Sequence, residues 1–344
     1  MSEILTSPRR SRFGRAVGFR LAGIGSAVPS KVVTNADLAR LGCDPEWIVA
    51  RSGIHERRHA AADVATSDLA AAAGRAAIAD SGLACADVDL VVLGTFTPDM
   101  CIPSTACIVQ EKIGLDAAAM DVTAACAGFA YALVTAANFV TAGTSRLPLV
   151  IGCDTNSRVV DPEDIKTWPL FGDGGGAVLL EPCEPDPTGR EHGLLAYALG
   201  ADGRGAALLA CPMSGSRQPP TLEGLGRREQ FMRMDGRAVF KWAIRLAEDN
   251  IRAVVDRSGV LLDHIDLFVL HQANARIVEG VRDSLGLPAE KVFMNLDRYG
   301  NTSSGSIPLA MDEAWRTGRI GPGSTIVICG FGGGLAWGTA VWRL

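Results

Sequence analysis

A duplication constrains this chain more than any other feature of its sequence. The stretch SGLACADVDLVVL, Ser81–Leu93, returns as SGVLLDHIDLFVL at Ser258–Leu270, a displacement of 177 residues. The same displacement lays LPLVIGC, from Leu147, over STIVICG, from Ser324, and both are short apolar runs with the β-branched content of buried strands. A looser match sets Met120-Asp-Val, ending at Cys126, over Met294-Asn-Leu, ending at Asn301, with one inserted residue. A helix-like stretch precedes each copy: DLAAAAGRAAIAD, with Thr66 and Ser67 as caps and Gly82 as its stop, and GRAVFKWAIRLAEDNIRAVVD before Gly259. Helices alternating with continuous apolar strands predict an α/β fold of layers around largely buried sheets. The expected organisation is a flexible tail over 1–18 and two similar halves, 19–184 and 190–344, packed about a pseudo-two-fold axis. Strand ends from both halves can then build one site. The Gly-, Pro- and Arg-rich segment 201–235 reads either as a functional lid or as a surface insertion.

Composition narrows the function classes. With 48% hydrophobic and 21% charged residues the chain is an ordinary soluble globular one. Its net charge of −5 supplies no field for gathering nucleic acid, so none is expected as a partner, and any polyanion must be held by a local basic patch. The nine cysteines include no C-x-x-C pair and no histidine at ligand spacing. No metal is therefore expected, and most of them read as small buried residues in a reducing compartment. Arg9, Arg10, Arg12 and Arg15 are not followed by the apolar run of a secretory signal. The most apolar stretch, 119–142, is interrupted by Asp121, Gly128 and Asn138, which suit a buried strand and helix rather than lipid. A cytoplasmic protein with no membrane partner is expected.

Three residues could do chemistry. Cys126 lies in MDVTAACAGFAYALVTAANFVTAG, where a strand-like run ends, Ala-Gly permits a tight turn and an apolar helix follows. A helix N-terminus favours the thiolate, so a lowered pKa and a usable nucleophile are expected, against the alternative of a core cysteine. His271 ends the second copy of the repeated strand, in LFVLHQAN, where open α/β sheets present ligand-binding groups. The alternative is a hydrogen-bonded structural histidine. Asn301, in RYGNTSSGSIP, sits in a turn before a helix-like stretch, and simple turn chemistry is its alternative. In CGFGGGLAWG, glycines 332–334 could offer an oxyanion-hole N–H or form a tight hairpin. The duplication brings Cys126 opposite Asn301 with His271 beside them, and a thiolate with two hydrogen-bonding partners and backbone donors suits acyl transfer through a thioester.

TAACAGFAYAL, LHQANARI, YGNTSSGSIP and GFGGGLAWG, in that order, resemble the signatures of the β-ketoacyl-acyl carrier protein synthase III family, from about residue 19 to the C-terminus. TNADLARLG and EWIVARSGIHER extend the likeness. The resemblance implies a thiolase-like, duplicated five-layer αβαβα fold, a homodimer, and an enzyme that condenses an acyl-CoA primer with malonyl-acyl carrier protein to initiate fatty acid synthesis. It needs no cofactor beyond the coenzyme A substrate. By the same resemblance Cys126 takes the acyl group, the N–H groups of Cys126 and Gly333 form the oxyanion hole, and His271 and Asn301 bind the malonyl thioester. Trp47 and Arg51 contact coenzyme A, Lys241 and Arg276 dock the carrier protein, and Ile102 shapes the acyl pocket across the dimer. Ile102 stands where an acetyl-preferring relative carries phenylalanine, which suggests room for longer or branched primers. Three positions depart from the family pattern: Ile165 replaces an arginine over the adenine, Arg237 replaces an asparagine near the pantetheine arm, and Asp283 replaces a basic residue. A ketosynthase or acyltransferase of secondary metabolism shares the Cys-His-Asn set. A papain-like hydrolase would want a glutamine before the cysteine, and a thiolase a second cysteine, for which Cys329 is the available residue.

Overall fold

A computed structural model describes residues 10–344. Two five-stranded mixed sheets dominate it. The first is built from β2 (Phe19–Ala27), β5 (Leu90–Gly94), β6 (Ala118–Val122), β7 (Pro148–Thr155) and β8 (Asp173–Pro182), in the order β2-β8-β7-β5-β6. The second takes β1 (Arg12–Val17), β9 (Gly193–Ala201), β12 (Leu267–Leu270), β13 (Thr325–Gly332) and β14 (Ala336–Arg343), in the order β1-β9-β14-β13-β12. Short ribbons pair β3 (Val32–Thr34) with β4 (Glu56–Arg58), and β10 (Leu209–Ala210) with β11 (Arg233–Met234).

The duplication is visible strand by strand. β12 begins 177 residues after β5, and β13 runs from 177 after the first residue of β7 to 177 after its last. In both sheets these two strands are parallel neighbours, and the next strand, β8 or β14, runs antiparallel. The looser third correspondence holds differently. Met120-Asp-Val is strand β6, whereas the segment around Val292 makes only a single bridge to Phe268. Turns Ala125–Ala127 and Ser303–Gly305 are the better mates, since each leads directly into a buried helix. That register places Cys126 over Ser304 rather than over Asn301.

The fifth strand of the second sheet corrects the expected tail. Arg12–Val17 pairs antiparallel with β9, so the first half begins with a strand that completes the other half's sheet. Buried Ala16 and the paired backbone offset the ordering of a polar stretch. Residues 1–9 lie outside the described residues.

Helix α1 spans Pro45–Ser52, α2 Thr66–Ser81, α3 Thr105–Ile113, α4 Gly128–Thr141, α5 Gly236–Ser258, α6 Ala275–Leu285 and α7 Ser306–Arg316. Helices α2 and α3 cover the outer face of the first sheet, and α5 and α6 that of the second. Between the sheets lie α4 and α7, giving five layers in the order αβαβα. The sequence of α4, GFAYALVTAANFVT, is apolar nearly all round, which only a helix with sheets on both sides can bury. Phe129 and Leu133 are wholly enclosed, each worth roughly 1.5–3 kcal/mol. Gly82 and Gly259 end α2 and α5 in left-handed conformations, as the sequence predicts. Thr66 and Ser67 do not cap α2. Their hydroxyls bond the carbonyl of Thr97 and the carboxylate of Asp99, and Asp68 accepts the Ala65 N–H instead. Four of the nine cysteines are buried, fewer than expected, and Cys101, Cys107 and Cys211 are exposed. Among the described residues no helix is long and apolar enough to cross a membrane.

Candidate active site

Cys126 occupies the middle of the turn between β6 and α4. The turn opens at Ala125 with φ +46°, a conformation costly for an L-residue, and its mate opens at Ser303 with φ +53°. Together the two turns set the N-termini of α4 and α7 side by side at the junction of the halves. Gly332 closes the wall. A Cβ there would lie 2.8 Å from both the Cβ and the backbone nitrogen of Cys126, so only glycine lets β13 run this close. The glycine turn is the hairpin between β13 and β14. Gly333 lies one residue beyond, where a Cβ would meet the Leu209 carbonyl at 3.2 Å and the Ala125 methyl at 3.6 Å, and its N–H belongs to the peptide that begins at the Gly332 carbonyl.

The expected lowering of the Cys126 pKa is not found. Burial pushes the thiol up to about 12, the Ser303 hydroxyl donating to Sγ at 3.3 Å opposes this, and the charge of Asp154 adds to it. The favour that a helix N-terminus offers an anion, up to ~2 kcal/mol in partly buried geometries, is smaller than the desolvation of an enclosed sulfur. His271 is also fully enclosed, and burial lowers its pKa to about 3, which leaves the imidazole neutral. Its Nδ1 lies 2.7 Å from the Ser306 hydroxyl, and the Phe331 ring packs edge-on against it at 5.4 Å between centroids. Asn301 is fixed at both ends of its peptide: its N–H donates to Leu170, and its carbonyl accepts from Gly172. Its Oδ1 accepts the Ser303 N–H at 2.8 Å, which leaves the amide NH₂ as the free donor.

Cys126, His271 and Asn301 line one cavity of about 620 Å³, together with Phe331 and Gly332. Trp47 and Arg51, both on α1, stand at its mouth, with the guanidinium 5.2 Å from the indole centroid. Arg276 lines it too, over the Phe240 ring, as do Ile165, Lys166 and Arg237. Lys241 is exposed on α5 and does not line the cavity. Among the described residues none of Arg51, Lys166, Arg237 and Arg276 has an ion-pair partner, so the mouth carries four uncompensated positive charges. Asp283 is offset by Arg282, whose guanidinium lies 2.7 Å away. Ile102 is 84% exposed and does not reach the cavity of its own chain. Cys329 faces Thr339 away from the cavity, so a second thiol is not at hand. The segment 201–235 supplies Leu209 and Met234 to the wall, and its Arg228 is paired with Asp161. Among the described residues no group of three or more His, Cys, Asp or Glu is disposed to hold a metal.

Ser303, Ser306 and Asp154 escape a reading of the sequence. The two serines share the turn motif with Asn301, but nothing local shows which hydroxyl faces sulfur or imidazole. Asp154 shows only as a charge at the end of an apolar run.

Comparison with known proteins decides the family. Residues 120–203 match 3-oxoacyl-[acyl-carrier-protein] synthase III, and residues 255–344 match its C-terminal part. The beta-ketoacyl-[acyl-carrier-protein] synthase III of Rhodopirellula baltica is 50% identical over 343 residues, covering 96% of this chain and 99% of that one. The chain belongs to the 3-oxoacyl-[acyl-carrier-protein] synthase III family. Among solved structures, the synthase from Aquifex aeolicus superimposes with a TM-score of 0.86 at 37% identity, covering 95% of this synthase and all of that chain. The priming β-ketosynthase of the R1128 polyketide pathway gives 0.87 at 32% identity, over 97% and 98% of the two chains. The thiolase-like fold that the family resemblance implied is the fold of these synthases.

Proposed function

We propose that this synthase joins an acyl group from acyl-coenzyme A to malonyl-acyl carrier protein, with loss of carbon dioxide, and so initiates fatty acid synthesis. The observation that carries the reading is the convergence of Cys126, His271 and Asn301 on one cavity whose mouth bears four unpaired cations. Phosphates of coenzyme A complement those cations, and Trp47 offers a stacking face. The 50% identity to a beta-ketoacyl-[acyl-carrier-protein] synthase III, against 32% to a polyketide priming enzyme, favours the fatty acid pathway.

The Cys126 sulfur attacks the thioester carbonyl carbon, forming a C–S bond, and the oxyanion is held by the N–H groups of Cys126 and Gly333. Collapse breaks the bond to coenzyme A, which leaves as its thiol with the proton from Cys126. Malonyl-acyl carrier protein, guided by Lys241 and Arg276, then places its thioester carbonyl before His271 and Asn301. Ser306 donating to Nδ1 puts the ring proton on Nε2, so a neutral imidazole and the Asn301 NH₂ both donate to that carbonyl. Carbon dioxide leaves, its bonding pair becomes the enolate these donors stabilise, and the enolate carbon attacks the acyl-cysteine. The C–S bond breaks and the sulfur regains a proton from solvent. Removing one such donor costs about 10²–10³ in rate.

The active unit is a homodimer. Ile102 and Met100, 84% and 50% exposed, form an apolar projection that a second copy would cover, and the neighbouring edge strand β6 is free on one side. Ile102 then reaches the partner's acyl pocket and leaves room for primers larger than acetyl. Since coenzyme A and carrier-protein thioesters are made inside the cell, the enzyme works in the cytoplasm.

Labelled acyl-coenzyme A tests this reading. The label appears on Cys126 and chases into β-ketoacyl-carrier product. His271→Ala and Asn301→Ala still acquire the label but release no carbon dioxide from malonyl-carrier protein. Absence of an adduct on Cys126 of the wild-type enzyme during turnover would overturn it.

A further inference from the structure

Behind the reacting residues, at the seam of the two halves, lies a carboxylate that the chemistry above does not use. Asp154, near the end of β7, is fully buried. Its Oδ1 accepts from the hydroxyls of Thr95 and Thr97, at 2.8 and 2.9 Å, and from the backbone N–H groups of Phe96 and Thr97. Its Oδ2 accepts from Ser304 alone, from the N–H at 3.0 Å and from the hydroxyl at 2.6 Å, whose single proton the Gly94 carbonyl, 2.8 Å away at the end of β5, shares. Among the described residues no lysine or arginine pairs with it. A carboxylate taken out of water without a cation is costly, and for stability alone an apolar side chain would serve as well or better. Six donors from two separate segments, Thr95–Thr97 and Ser304, make its burial tolerable, and they also fix those segments relative to one another.

What they fix is the turn facing Cys126. Ser304 follows Ser303, whose left-handed backbone is unfavourable unless held from outside. Ser303 donates its hydroxyl to Cys126 Sγ and its N–H to Asn301 Oδ1. The single residue Ser304 thus stands between Asp154 and both groups that address the sulfur and its substrate. Thr95–Thr97, on the other side of the carboxylate, continue β5 of the first half, so the tie crosses the duplication. We propose that Asp154 is a positioning residue, which anchors Ser304 of the second half to the end of β5 in the first and thereby holds Ser303 and Asn301 in register with Cys126. A displacement of ~1 Å at such a site can cost on the order of 10² in rate.

The proposal rests on Cys126 as the acylated nucleophile, and a double-mutant cycle on that half-reaction tests it. The saturating rate of acyl transfer from acyl-coenzyme A to Cys126, and the concentration giving half that rate, are measured by quenched-flow mass spectrometry. The proteins are full-length wild type, Asp154→Asn, Ser303→Ala and the double variant. Asparagine keeps the size of the side chain but cannot accept at both ends. The saturating rate is expected to fall at least tenfold in Asp154→Asn, with the half-saturating concentration within twofold of wild type. The double variant should be no slower than the slower single one, because Asp154 acts through the Ser303 contact that the other change removes. Losses that multiply, or a change confined to the half-saturating concentration or to the melting temperature, would overturn the role. Should Asp154→Asn fail to fold, Ser304→Ala takes its place. It leaves the carboxylate and one of its two Ser304 bonds intact, and is expected to slow acylation three- to tenfold, again without adding to Ser303→Ala. Wild-type acylation by Ser304→Ala would equally overturn the proposal. If wild-type enzyme itself fails to acylate, it is the assignment of the nucleophile that falls.

Discussion

The hydroxyl of Ser303 donates to Cys126 Sγ across 3.3 Å, joining two turns that stand in equivalent places in the two halves. This is the contact that draws the sulfur toward the anion while burial drives it the other way. Because the thiol is pushed up to about 12, the neutral form predominates at pH 7, and alkylation of Cys126 by iodoacetamide should rise steadily from pH 7 to 10. Ser303→Ala removes a contact that lowers the pKa, so its profile moves to higher pH. Peptide-resolved mass spectrometry is needed, since Cys101, Cys107 and Cys211 are exposed. A profile unchanged or moved to lower pH would show that Ser303 does not act on the sulfur.

Gly332→Ala places a methyl carbon where it meets Cys126 at 2.8 Å. Both atoms at the contact belong to constrained backbone or its Cβ, so the turn and β13 must part. The variant should lose about 10² in kcat/KM for acyl-coenzyme A while keeping its circular dichroism. Full activity would mean that the close approach has no part in acylation.

His271 is held neutral by burial, with its pKa lowered to about 3. An unfolded histidine titrates near 6.5, so the unfolded chain binds more protons between these values, and stability is lost as pH falls from about 6.5 toward 3. The urea midpoint of wild-type enzyme should therefore drop from pH 7 to pH 5 by more than that of His271→Asn. Parallel declines would assign the acid sensitivity to other groups.

The four cations at the cavity mouth make a prediction about coenzyme A. Arg51→Ala and Arg237→Ala should each raise KM for acyl-coenzyme A roughly tenfold, with kcat little changed. The penalty shrinks as ionic strength rises. An acyl thioester of N-acetylcysteamine, which carries no phosphate, should show no such change. An equal effect on both substrates would remove the phosphate contact from the account.

Ile102 bears on both assembly and primer choice. Ile102→Arg should shift the enzyme toward monomer in analytical ultracentrifugation. Wild-type enzyme should use isobutyryl- or butyryl-coenzyme A with higher kcat/KM than acetyl-coenzyme A, and Ile102→Phe should reverse the order. Preference for acetyl in the wild type would refute the open pocket.

Much of this molecule is written in local sequence. The repeated strands at Leu90 and Leu267 keep their displacement in three dimensions because each is a continuous apolar run that must be buried, and the helices stop at Gly82 and Gly259 because only the left-handed conformation ends them cheaply. Cys126, His271 and Asn301 are legible because a cysteine at a strand-to-helix turn, a histidine ending a strand and an asparagine in a glycine-serine turn are local patterns. Tertiary structure decided what those patterns could not. Whether the Cys126 thiol is raised or lowered depends on what surrounds it: β13 and the Ser303 turn enclose it and Asp154 adds a charge, all distant in sequence. Arg12–Val17 became a strand because β9 of the other half offered an open edge, not because of its own composition. Backbone propensity and apolar periodicity act over neighbouring residues, so sequence reveals them directly. Desolvation, cross-half hydrogen bonds and sheet edges exist only once distant segments meet.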